Sequence, residues 1–138
     1  MQLNSYLSFN GQCEAAFKFY EQCLGGKIDE SMTYGNSPMA DQTPPEWHHK
    51  IMHTQLTVDN AVLMGSDNPP GMLFEEPKGF SVSIGINDPV KAERIFHTLA
   101  ENGTVQMPIQ QTFWAERFGM LVDQFGTPWM INCDQTVA

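Results

Sequence analysis

Residues 110–134, QQTFWAERFGMLVDQFGTPWMINCD, hold the pattern that decides the fold. Met107 to Phe113 suits an extended strand, Phe118 to Phe125 alternates loosely, and Trp129 to Cys133 is a compact run. Phe125-Gly126-Thr127-Pro128 reads as the turn between the last two, because glycine tolerates positive φ and proline pre-sets φ. Glu116-Arg117-Phe118-Gly119 reads as the connection before them. Asp123 is expected to cap the final turn or pair locally, with a role in a cavity as the alternative. On the last strand Trp129 and Ile131 share one face and Met130 and Asn132 the other. Either pair can be the core, and the strand alignment favours the first. Such a meander needs a partner layer over its apolar face.

Upstream, Leu3 to Phe9 predicts a strand. A helix from about Gln12 to Leu24 follows, with Ala16, Phe19, Tyr20 and Cys23 on one buried stripe and Gly25-Gly26 as its stop. Lys27 to Tyr34, Met52 to Val58 and Val62 to Ser66 read as three further strands. The second half repeats the order. Phe80 to Ile86 is a strand, Asp88 is the N-cap and Pro89 the first residue of a helix, and Ala92, Ile95, Phe96 and Leu99 form its buried stripe. The predicted organisation is one domain over residues 1–138, with module 1 at about 1–67 and module 2 at about 79–134. Each half is too poor in apolar surface to stand comfortably alone, so the two sheets are expected to combine around a central cavity with the helices outside.

Composition narrows the function classes. A 138-residue chain buries roughly 70% of its unfolded surface without help from metal or disulfide. Cys13, Cys23 and Cys133 lack Cys-x-x-Cys spacing and read as reduced, buried thiols. The N-terminal MQLNSYLSF has no basic region or long apolar run, and no window approaches a membrane span, so a cytoplasmic protein without membrane contact is expected. Sixteen acidic against seven basic residues give a net charge of −9. With no Lys/Arg cluster, this opposes a nucleic-acid partner.

The motifs Tyr6-Leu7-Ser8-Phe9, Ala16-Phe17-Lys18-Phe19-Tyr20 with Leu24-Gly25-Gly26, Gln111-Thr112-Phe113-Trp114, Arg117-Phe118-Gly119, Asp123-Gln124-Phe125-Gly126 and Pro128-Trp129-Met130-Ile131-Asn132 resemble the vicinal oxygen chelate superfamily, and within it the PhnB-like branch. The resemblance covers nearly the whole chain. It implies an α+β fold, with paired βαβββ modules forming a curved, mostly antiparallel eight-stranded sheet with helices outside, and a homodimer. Enzymes of the superfamily hold a divalent metal with His and Glu on the concave face. The positions that match those ligands here are Tyr6, Met64, Ser81 and Met130, which suit neither zinc nor iron. No cofactor and no metal are therefore expected. The branch also carries a demethylubiquinone methyltransferase label, yet the chain has no glycine-rich strand-to-helix turn followed by an acidic residue.

The remaining polar residues give the candidate chemistry. His53, at the start of a strand, carries an imidazole suited to general-base work, against an ordinary core or interface role. Adjacent His48 and His49 read as a polar loop and His97 as surface. Glu116 and Arg117, beside Trp114, form a candidate grip for an anionic or zwitterionic small molecule, against an exposed ion pair. Ligand contact is assigned to Tyr6, Met64, Ser81, Trp114, Arg117 and Met130, and catalysis, if any, to His53 and Glu116. Loops 35–50 and 67–79 are read as lids or as plain surface excursions. Three functions remain open: a metal-independent small-molecule binder, a divergent enzyme using His53, Glu116 and Arg117, or a structural dimer that binds a partner.

Overall fold

The computed structural model describes residues 1–134 and divides into two compact units, one spanning Met1–Glu75 and the other beginning at Glu76. Each is a βαβββ repeat. The first runs β1 (Ser5–Phe9), α1 (Cys13–Leu24), β2 (Lys27–Thr33), β3 (Ile51–Val58) and β4 (Ala61–Asp67); the second runs β5 (Val82–Ile86), α2 (Pro89–Leu99), β6 (Thr104–Gln110), β7 (Ala115–Val122) and β8 (Pro128–Asp134). The strands form two four-stranded sheets ordered β1-β4-β3-β2 and β5-β8-β7-β6. In both, the first and last strands of the repeat pair in parallel and the other pairings are antiparallel.

One face of each sheet is covered by its helix. In the first unit Leu7, Phe9, Leu56 and Leu63 are buried with Cys13, Ala16, Phe17, Tyr20 and Cys23 of α1. Phe17 meets Phe9 and Tyr20 edge-on, at centroid distances of 6.1 and 5.6 Å. Each such side chain contributes about 1.5–3 kcal/mol through burial. Phe17 takes the inner position expected of Phe19, which sits half-buried at the edge of the stripe, because residues 13, 16, 17, 20 and 23 lie along one side of a 3.6-residue helix. In the second unit Ala92, Ile95, Phe96 and Leu99 of α2 cover Leu121, Trp129 and Ile131. Trp129 and Ile131 are thus the core pair, with Met130 and Asn132 on the other face.

Helix ends follow their sequence signals unevenly. Asp88 accepts from the amides of Val90 and Lys91, with Pro89 beginning α2 as expected. Gly25 ends α1 at φ 75°, where a Cβ would be strained. The start of α1 is different, since Gln12 makes no capping bond through its side chain. The acceptor comes instead from Asp67 at the end of β4, whose Oδ1 takes the amides of Gly11 and Cys13 at 2.8 and 3.0 Å and whose Oδ2 takes that of Ile51 at 2.9 Å.

Two boundaries and one loop are corrected. Residues 116–119 are strand, inside β7, and the connection before it is 111–114. Leu3 and Phe80 stand outside β1 and β5 and are exposed. Asp123 caps the last turn: Oδ1 accepts from Phe125 and Thr127, and Oδ2 from the Trp129 indole at 2.8 Å. The long loop after β2 contains three 3-10 turns at Tyr34–Asn36, Ala40–Gln42 and Pro45–Trp47. His48 Nε2 lies 2.9 and 2.8 Å from the carbonyls of Ala40 and Thr43, which gives it a structural role. No helix among the described residues is long and apolar enough to cross a membrane.

Candidate functional site

The helix leaves one face of each sheet uncovered, and strand alternation decides which side chains appear there. In the first unit the register aligns Tyr6 with Met64, Met64 with Gln55 and Gln55 with Glu30, one row across all four strands. The corresponding row of the second unit is Ser83, Met130, Met120 and Met107. Met130 therefore neighbours Ser83; Ser81 stands one residue ahead of β5, half-buried. The repeats share their geometry and differ in chemistry. One row carries a phenol, an amide and a carboxylate, the other a serine and three thioethers.

His53 lies on the same face of the first unit, two residues before Gln55. Its ring stacks on that of Tyr6 at 5.7 Å with 29° between the planes. Nδ1 is 3.0 Å from the Tyr6 hydroxyl, and Nε2 is 3.6 Å from Glu30 Oε2. Since β4 lies between β1 and β3, the two rings lean toward each other over it. Tyr6 is 48% exposed and the His53 side chain 31%, so both are open to a ligand. His53 is neither a core histidine nor a free surface one. Glu30 was not among the expected site residues; its signal is its cross-strand position, which the sequence pattern does not give.

The expected grouping of Trp114, Arg117 and Met130 does not form. Arg117 is aligned with Cys133 on the helix-covered face, and its Nε donates to Glu93 Oε1 of α2 at 3.0 Å. Its terminal nitrogen donates to the Glu116 carbonyl at 2.7 Å and lies 3.4 Å from Glu116 Oε1. The guanidinium fork is thus occupied by two carboxylates of its own chain, and Glu116 is its partner. Met130 faces the other way. Trp114, 48% exposed, packs edge-on against Phe118 at 5.3 Å and against the exposed Phe113 at 4.7 Å. Phe118 shares the helix-free face with Met107, Met120 and Met130, so Trp114 extends an apolar platform instead of an ionic grip.

The superfamily's metal does not fit this donor set. Among the described residues no three His, Cys, Asp or Glu side chains gather as a metal would require. Tyr6 and Met64 of the first unit offer a phenol and a thioether, and Ser83 and Met130 of the second an alcohol and a thioether, where Zn²⁺ or Fe²⁺ wants imidazole or carboxylate. Burial, with Asp67 adding to it, pushes the Cys13 thiol far up, and burial likewise raises Cys133, which disfavours the reactive thiolate at both.

Comparison with known proteins agrees with this architecture. Residues 1–132 match the family described as 3-demethylubiquinone-9 3-methyltransferase. The chain is 33% identical over 140 residues to Protein YjdN of Escherichia coli, covering 96% of this chain and 95% of that one. It is 46% identical to protein PA1353 of Pseudomonas aeruginosa, whose crystal structure superposes with a TM-score of 0.91 and 99% coverage of both chains. The PhnB protein of Bacillus cereus shares the fold at 22% identity and a TM-score of 0.81, with 96% of this chain and 99% of that one covered. On the match over residues 1–132, the chain belongs to the family described as 3-demethylubiquinone-9 3-methyltransferase, and its two βαβββ repeats form the fold that the resemblance to the vicinal oxygen chelate superfamily implied.

Proposed function

We propose that the chain binds a small molecule on the helix-free sheet surfaces without the metal that the superfamily's enzymes use there. The observation that carries this reading is the replacement of the ligand set: Tyr6 beside Met64 in one repeat, Met130 beside Ser83 in the other. Phenol, hydroxyl and thioether groups make a soft, mostly apolar lining with a few hydrogen-bonding points, the usual chemistry of a ligand surface. Trp114 adds an aromatic plate, and Ser81 lies at the entry to β5. The methyltransferase activity in the family's name is not part of this reading, because the β1-to-α1 connection is only Asn10-Gly11-Gln12 and offers no cofactor-binding glycine loop.

The same reading places the protein in the cytoplasm as a homodimer, on the strength of the resemblance and of the composition. His53 favours a second, catalytic reading, since it contacts both a phenol and a carboxylate on the open face. Glu116 has no such support, being engaged with Arg117.

A ligand-observed NMR screen of small aromatic and carbonyl compounds tests the proposal. Hits should be lost or weakened in Met64→Ala, Trp114→Ala or Met130→Ala while the unfolding temperature stays near that of the parent. A screen in which no hit responds to any of these substitutions would refute the site.

A further inference from the structure

We infer that Tyr6, His53 and Glu30 form a proton-handling site that binds a weakly acidic hydroxyl compound, a phenol or an enol on an apolar body, as its anion. The inference rests on the reading that a small molecule occupies the helix-free face of the first repeat, and assigns the chemistry of that ligand.

The geometry fixes the proton positions. Glu30 can only accept, so its carboxylate 3.6 Å from Nε2 favours the tautomer with the hydrogen on that nitrogen. In the neutral ring Nδ1 is then bare, and the Tyr6 hydroxyl donates to it at 3.0 Å. The Tyr6 oxygen keeps its lone pairs for an incoming donor. When the ring is protonated, Nδ1–H donates to Tyr6 instead, and the phenolic hydrogen turns outward. His53 thus sets whether Tyr6 accepts from a ligand or donates to it.

Placing a hydroxyl ligand on Tyr6 completes the transfer. The ligand O–H bond breaks and its proton goes to the Tyr6 oxygen; the Tyr6 O–H bond breaks and that proton goes to His53 Nδ1. The products are a ligand oxyanion held by the Tyr6 hydroxyl and an imidazolium facing Glu30. No oxidant, reductant or metal enters the balance. This is the logic of a nucleophile, base and orienting carboxylate, with a phenol as the group presented to the ligand. Tyr6 is the residue that would touch the ligand; His53 stores the proton, and Glu30 is a positioning residue.

The surroundings select the rest of the ligand. Met64 lies beside Tyr6 in register and Met32, 40% exposed, beside His53. Asp29, the other carboxylate on this face, is engaged by Gln55 at 3.2 Å and Thr57 at 2.7 Å. No Lys or Arg faces the His53 ring from β1, β2 or β4, where its neighbours are Tyr6, Glu30, Met32, Met64 and Ser66. The anion's countercharge is therefore the imidazolium itself. At the equivalent register positions the second repeat has Ser83, Phe118 and Met107, so only the first repeat holds this array.

The test uses 4-nitrophenol as probe and 4-nitroanisole, which lacks the hydroxyl, as its control. In buffer near neutral pH, above the ordinary imidazole range and where much of the free 4-nitrophenol still keeps its proton, the parent protein should bind it with growth of the visible phenolate band. Tyr6→Phe and His53→Gln should lower that growth by about tenfold or more while still binding 4-nitroanisole, and Glu30→Gln should lower it less. A ¹⁵N NMR spectrum without ligand supplies a second readout: His53 should carry its hydrogen on Nε2, and Tyr6→Phe should move the Nδ1 resonance. Binding of 4-nitrophenol without growth of the phenolate band, or an Nδ1–H tautomer in the parent, would overturn the proton transfer and leave the binding surface standing. Binding of neither probe would overturn both.

Discussion

The amide of Cys13, first residue of α1, donates at 3.0 Å to an oxygen of Asp67, which lies 54 residues further along the chain. The helix is capped by the last residue of β4 in place of its own N-cap side chain. Removing that carboxylate orphans three amides, the buried ones of Cys13 and Ile51 and the part-buried one of Gly11. Asp67→Ala should cost about 3 kcal/mol or more, and Asp67→Asn less, because an amide keeps one acceptor oxygen. Urea unfolding measures both. A loss below about 1 kcal/mol for Asp67→Ala would show that water replaces the cap.

Glycine marks where each sheet meets its helix. A Cβ at Gly65 would stand 2.6 Å from the Phe17 ring, and one at Gly119 would stand 2.6 Å from the Phe96 ring. The two repeats thus reach the same close approach with different sequences. Gly65→Ala and Gly119→Ala should each destabilise by about 1–3 kcal/mol, since the ring must move within a packed core. Equal stability of either variant in denaturant titrations would mean that the ring shifts freely.

Local patterns were legible and cross-strand partners were not. The stripe Ala92, Ile95, Phe96 and Leu99, the Asp88-Pro89 start and the Trp129 and Ile131 core pair all follow from helical or strand periodicity. Residues 116–119 were misread because Gly119 looks like a turn residue; its actual cause is the Phe96 ring above it. Asp67 and Glu30 escaped for one reason. Their partners are set by strand order and register, and nothing in the sequence near Asp67 names Cys13. The grip by Arg117 failed on a half-turn of strand alternation, which placed it on the α2 side with Glu93. His53 was visible as a candidate, yet its setting between Tyr6 and Glu30 needed the sheet order β1-β4-β3-β2.

The buried thiol gives stability a defined pH dependence. Burial, then the Asp67 charge, raises the Cys13 thiol above its ordinary value of 9.0. The unfolded chain therefore releases this proton first as pH rises, and the folded state holds it. Stability from this group is complete below the ordinary thiol value and falls above it, by up to about 1.4 kcal/mol per pH unit while only the unfolded thiol is ionised. Tyr34, raised by burial, and Cys133 act in the same sense. Unfolding free energy measured across the alkaline range should decline, and Cys13→Ala should decline less steeply. An identical slope in that variant would remove Cys13 as the source.

Metal content is the measurement that tests whether this chain's chemistry departs from that of the superfamily's enzymes. Protein purified without chelator should carry less than about one-tenth equivalent of transition metal, because binding needs deprotonated, preorganised donors that Tyr6, Met64 and Met130 do not supply. Chelator treatment should leave the unfolding temperature unchanged, since a ligand bound only to the folded state would have raised it. The open His53 is the sensitive point: its Nδ1 is taken by Tyr6 and its Nε2 faces Glu30, so a metal bound there would have to displace one of them. A full equivalent of metal present with the Tyr6–His53 contact broken would therefore defeat both the metal-free reading and the tautomer assigned to that ring.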